Sequence, residues 1–102
     1  MRAALALVLV LAACAPGQAD EAARGQRLAQ ERCAACHAIG RTGASPRAGA
    51  PPFRDLHNRY PVDQLAESLA EGIVTGHPDM PEQAFSPEEV NALIAYLRSL
   101  ER

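Results

Sequence analysis

The chain has 102 residues and a net charge of −2, with twelve acidic residues against ten basic ones, all of them Arg. It contains no Trp and only two Phe and two Tyr, so little aromatic mass is at hand for an unaided core. The Arg residues form neither a basic stripe nor a DNA-binding pattern, and no nucleic acid is expected among the partners.

The first nineteen residues read as a targeting segment. Met1-Arg2 gives a short positive end, and Ala3 to Ala13 is an apolar run of eleven, too short for a spanning helix and right for a signal-peptide core. Two processing routes compete. Cleavage after Gly17-Gln18-Ala19 leaves a domain of residues 20–102 and removes the odd third cysteine, Cys14. Leu11-Ala12-Ala13-Cys14 instead resembles the lipobox of bacterial lipoproteins, with cleavage before Cys14 and a lipid on its sulfur, so that residues 1–13 are lost. Either route places the domain in the periplasm, and a membrane is met only through an anchor at Cys14.

Asp20 and Glu21 open a helical stretch running towards Cys33, acids first as the helix dipole favours. Ala22, Gly25, Ala29 and Cys33 share one face of it, and Gly25 allows a second helix to approach closely. The stretch runs into Cys33-Ala34-Ala35-Cys36-His37, a C-x-x-C-H run, which fastens a haem covalently to a polypeptide. Two cysteines three apart reach the two vinyl groups as thioethers, and the histidine beside them is placed to ligate the iron. A redox dithiol needs a βαβ setting, which is missing. A zinc site needs a second ligand pair, yet no cysteine follows Cys36, and His57 and His77 stand far apart. One haem c per chain is therefore expected, and a buried macrocycle would fill the thin core.

Residues 40–52, rich in Gly, Pro and Ala, read as a loop, and Phe53 to Asn58 as one short turn. Asp63 to Glu71 reads as a helix stopped by Gly72. Met80 follows in a proline-bracketed loop, Gly76-His77-Pro78-Asp79-Met80-Pro81, able to present a thioether rigidly. A core-filling role suits such a methionine poorly, so Met80 is the expected second axial ligand, with His77 the rival. The last helix is capped by Ser86, with Pro87 in its first turn and Glu89 completing a capping box. Phe85 and Val90 suit a hydrophobic staple, and Val90, Leu93, Ile94, Leu97 and Leu100 form one apolar stripe. No strand pattern competes.

In this order the C-x-x-C-H run, Ala50-Pro51-Pro52-Phe53, Met80-Pro81 and Leu93-Ile94-Ala95-Tyr96-Leu97 resemble a small class I cytochrome c of the bacterial periplasmic group, a likeness covering Gly25 to Leu100. The resemblance implies an all-α cytochrome c fold, three to four helices wrapped around one covalently bound haem. It also implies that the terminal helices cross at Gly25 and Tyr96. A backbone carbonyl of the proline run, at Pro51 or alternatively Pro52, would accept the ring N–H of His37, and Phe53 would lie against the haem. The loop from Thr42 to Ala50 departs from the family pattern, leaving Arg41, Arg47 and Arg54 as candidates for the haem propionates.

A His37/Met80 site leaves no open position for a substrate, so the expected function is single-electron transfer by cycling Fe(III)/Fe(II), without enzymatic chemistry. The partners are then a donor and an acceptor protein, and the carrier itself a monomer. An accessory haem subunit of a dehydrogenase or oxidase fits the same residues. A haem enzyme or gas sensor with labile Met80, the enzyme using His57 as acid–base group, fits them less well. Residues 38–62 carry a net charge of +3 and residues 63–102 a net −6, a solvated surface or a dipole that orients the protein on a redox partner.

Overall fold

The computed structural model describes residues 3–8, 17–72, 80 and 83–102. These contain three α-helices, α1 (Gln18–Arg32), α2 (Leu65–Glu71) and α3 (Pro87–Ser99), and two 3₁₀ turns, Phe53–Asn58 and Val62–Gln64. No strand occurs among the described residues. Residues 3–8 have no regular structure and expose Leu5, Leu7 and Val8. Among the described residues no helix is long and apolar enough to cross a membrane. Cys14 lies outside them.

Helix α1 begins at Gln18, ahead of the acids that signalled it, because the Gly17 carbonyl accepts from Asp20 and Glu21 N–H and closes the first turn. Asp20 and Glu21 in that turn and Arg32 in the last complement the helix dipole. The apolar face is made of small residues: Gly25 and Ala29 are both buried. That lets α3 cross against α1 almost backbone to backbone. A Cβ added to Gly25 would lie 1.9 Å from the Ala92 carbonyl oxygen and 2.8 Å from Tyr96 Cβ. The expected Gly25–Tyr96 contact is present, and the Ala92 carbonyl is the tighter neighbour.

The capping box of α3 is complete, Ser86 Oγ accepting from Glu89 N–H at 3.2 Å and Glu89 Oε1 from Ser86 N–H at 2.9 Å. All five residues of the apolar stripe are buried, and so are Ala92 and Tyr96, which turn a second flank of α3 towards α1. Phe85 and Val90 are both buried in the same cluster, with Ala29, Leu56, Val62 and Leu69.

The expected helix from Asp63 to Glu71 is in two pieces. Pro61 holds φ at −59°, and its carbonyl accepts from Gln64 N–H at 3.1 Å, so the chain enters through a tight 3₁₀ turn and becomes α-helical only at Leu65. Gly72, at φ 94°, ends α2 in a conformation that suits glycine. Asp63, left on the turn, pairs with Arg98 of α3.

Candidate functional site

The C-x-x-C-H segment is wound on from the end of α1. Cys33 and Ala34 N–H both donate to the Ala29 carbonyl, and Cys36 and His37 N–H both donate to the Cys33 carbonyl. The loop that follows folds back over this turn. Ala38 N–H donates to Ser45 Oγ at 3.0 Å, Arg47 N–H to the Cys36 carbonyl at 3.1 Å, and Phe53 N–H to the Ala38 carbonyl at 2.9 Å. Three residues in a row, Cys36 to Ala38, are thus fixed through their main-chain groups. Helix α3 adds one more, Tyr96 Oη donating to the Ile39 carbonyl at 2.6 Å. Burial, partly opposed by Arg41, raises the Tyr96 phenol above its ordinary 10.0, so it keeps the proton it donates.

Of the two prolines left open by the sequence, it is Pro51 whose carbonyl meets the histidine, 2.8 Å from His37 Nδ1. A carbonyl only accepts, so Nδ1 carries the hydrogen and Nε2 keeps its lone pair free for a metal. The Phe53 ring lies beside the imidazole, centroids 5.2 Å apart and planes tilted by 46°. Together the two contacts set the direction of the ring and the nitrogen it presents.

Both thiols, Cys33 and Cys36, are free and partly exposed. Burial raises the Cys33 pKa, against a smaller lowering by Arg32. Among the described residues no three His, Cys, Asp or Glu side chains converge as metal ligands. Met80 is half-buried at a bend. Its rival His77, and the prolines on either side, lie outside the described residues. His57 is exposed on the Phe53–Asn58 turn.

The three candidate arginines separate. Arg41 is committed to the end of α3, donating to the Ser99 and Arg102 carbonyls at 2.6 Å each. Arg47 is exposed and has a partner of its own. Arg54 Nη1 is buried with no hydrogen-bond partner among the described residues. A buried guanidinium N–H without a partner is costly and wants an anionic acceptor. A haem, with two thioether positions, an iron and carboxylate edges, matches free thiols, a free Nε2 and an orphaned guanidinium N–H; the residues fit the group.

Reading the sequence missed four contributors: Ser45, Arg32, Gln83 and the cap that Arg41 places on α3. A serine within a Gly/Pro-rich loop is a usual turn former and could have been singled out. Nothing local marks Gln83, whose partner is Arg32, fifty-one positions away.

The sequence model of the family described as cytochrome c matches residues 22–101, well over half of the chain. Neither the curated proteins nor the solved structures contain a significant match.

Proposed function

The chain belongs to the cytochrome c family, and from that premise we propose that it is a periplasmic carrier of single electrons, with His37 and Met80 as the axial ligands of one haem c. When bound, the haem supplies a one-electron Fe(III)/Fe(II) couple. The observation that carries the reading is the His37 Nδ1–Pro51 carbonyl bond, which selects the tautomer with a free Nε2 and makes that nitrogen the better donor.

The residues divide the work. Cys33 and Cys36 would hold the group by thioethers on a turn whose main chain is already fixed. His37 is aimed by Pro51 and kept in its plane by Phe53. Met80 offers a thioether, a ligand type that favours the ferrous state. Arg54 would offer its buried Nη1 N–H to a propionate. With His37 and Met80 both given to the iron, the group would have no place for a substrate, and the protein's task would be to dock a donor and then an acceptor. Lipid on Cys14 would restrict that traffic to the membrane surface.

The test is the optical spectrum of protein matured in a periplasm, oxidised and reduced, with carbon monoxide added to the reduced form. Low-spin spectra, the weak far-red band of ferric thioether ligation and no response to carbon monoxide are expected. A high-spin ferric spectrum or ready carbon monoxide binding overturns the closed-carrier reading.

A further inference from the structure

Arg32 is the last residue of α1 and the immediate neighbour of Cys33, yet its side chain is turned to the segment that follows Met80. Its Nε donates to Gln83 Oε1 at 3.1 Å, and Gln83 Nε2 donates back to the Arg32 carbonyl at 3.0 Å. That carbonyl is one of the helix-end acceptors left without an intrahelical donor, so Gln83 caps α1 while Arg32 holds Gln83. The guanidinium lies over the Phe85 ring, 4.1 Å from its centroid, and Phe85 is buried in the core. Nη2 reaches the Ala84 carbonyl at 3.5 Å, and Nη1 stands 3.7 Å from Glu89 Oε2. Phe85 N–H in turn donates to the Leu69 carbonyl of α2 at 2.9 Å.

The chain leaves α2 at Gly72, and beyond Met80 it is pinned at Gln83 to Phe85. Three peptide steps separate Met80 from Gln83, a reach of about 11 Å at full extension. Anything that fixes Gln83 therefore limits where the Met80 sulfur can go. The ion pair with Glu89 is half exposed and by itself counts for little. The reciprocal bonds and the stacked guanidinium are geometric constraints, and the planar fork of Arg makes them where a Lys ammonium does not.

We propose that Arg32, paired with Gln83, is a positioning residue that holds Met80 in place as the sixth ligand. The inference rests on Met80 being that ligand. Loss of the clasp leaves the fold and the attachment site in place but raises the fraction of molecules in which the sixth position is open. A competing ligand reads this fraction directly, because its apparent affinity scales with the population competent to bind it.

The experiment is imidazole titration of the ferric holoprotein, with the far-red thioether band followed in parallel, for the parent, Arg32→Ala, Arg32→Lys, Gln83→Ala and Met80→Ala. Imidazole is expected to bind about tenfold more tightly to Arg32→Ala and to Gln83→Ala than to the parent, with a weaker far-red band and a lower reduction potential in both. Arg32→Lys should recover only part of the loss, and Arg32→Ala combined with Gln83→Ala should add little to either alone, since the two act as a unit. Should Arg32→Ala fail to mature, Gln83→Ala breaks the clasp from the loop side and decides alone. Parent-like imidazole affinity and band in Gln83→Ala, with Met80→Ala clearly altered, overturn the clasp and leave Met80 as the ligand. A parent that binds imidazole as tightly as Met80→Ala overturns the ligand assignment and the clasp with it.

Discussion

Gly25 of α1 and Ala92 of α3 meet backbone to backbone, so closely that a Cβ on Gly25 would stand 1.9 Å from the Ala92 carbonyl oxygen and 2.6 Å from its carbon. The neighbour is main chain, which cannot rotate aside as a long side chain would. The crossing of the two terminal helices is therefore set by the absence of one side chain. Through Tyr96, one turn further along α3, the same crossing reaches the carbonyl of Ile39, beside the attachment site.

Gly25→Ala is expected to force the helices apart and to cost about 1–3 kcal/mol, the usual range for overpacking a tight contact, partly offset by the better helix propensity of alanine. Gly25→Val should cost more. Denaturant titration of the holoprotein checks this, and an unchanged midpoint for both variants would mean that the crossing is not tight in solution.

Much of this was legible in the sequence because the signals were local. The α3 cap is a four-residue code, Ser86 to Glu89, and the structure holds both of its bonds. The Phe53–Asn58 turn follows the proline run within the bounds expected. Long-range partnerships were not legible. Spacing identifies Gly25 as a close-approach position but not Ala92 as the group approached; the family resemblance supplied Tyr96, while the burial of Ala92 was missed because it faces α1 and not the stripe. The three arginines around the site looked equivalent in sequence. Only the fold commits Arg41 to the end of α3 and leaves Arg54 Nη1 without a partner among the described residues.

The capping box gives a prediction about acid. Glu89 is held below its ordinary 4.5, chiefly by the bond from the Ser86 backbone N–H, which outweighs desolvation, with lesser lowering by the Ser86 hydroxyl and Arg32. Its folded value is depressed, so its contribution is present above pH 4.5 and is lost as the pH falls through the folded value. Protection of the amides at the start of α3, taken against the intrinsic exchange rate at each pH, should fall over that range in the parent, and Glu89→Gln should flatten the dependence. Ser86→Ala should cost about 1 kcal/mol at neutral pH. A parent-like acid profile in Glu89→Gln would remove the carboxylate from the account.

Tyr96 acts at the opposite end of the pH scale. Its phenol is raised above 10.0, so its contribution is complete below that value and fades as the pH rises through the folded pKa. Tyr96→Phe leaves the Ile39 carbonyl without its donor and should cost about 0.5–1.5 kcal/mol at neutral pH. It should also abolish the tyrosine ionisation above 10.0 in an ultraviolet titration. If no phenol of the parent ionises above 10.0, the bond is not kept in solution.

Arg54 offers the most direct reading of the site's electrostatics. A buried cation next to a propionate holds the carboxylate ionised and depresses its pKa. It also favours Fe(II), which carries one positive charge fewer than Fe(III). Arg54→Gln in the holoprotein should therefore lower the reduction potential at neutral pH. Without the cation the propionate pKa rises towards the mildly acidic range, where protonation favours the ferrous state, so the potential should climb as the pH falls. The slope is limited to about 59 mV per pH unit for one proton per electron. Arg41→Gln changes an arginine already bound to the Ser99 and Arg102 carbonyls, and should lower stability while leaving the pH dependence of the potential as in the parent. Voltammetry of both variants between pH 5 and 8 separates the roles. A new slope in Arg41→Gln and none in Arg54→Gln would reverse the assignment, because the orphaned Nη1 would then have no anion to answer.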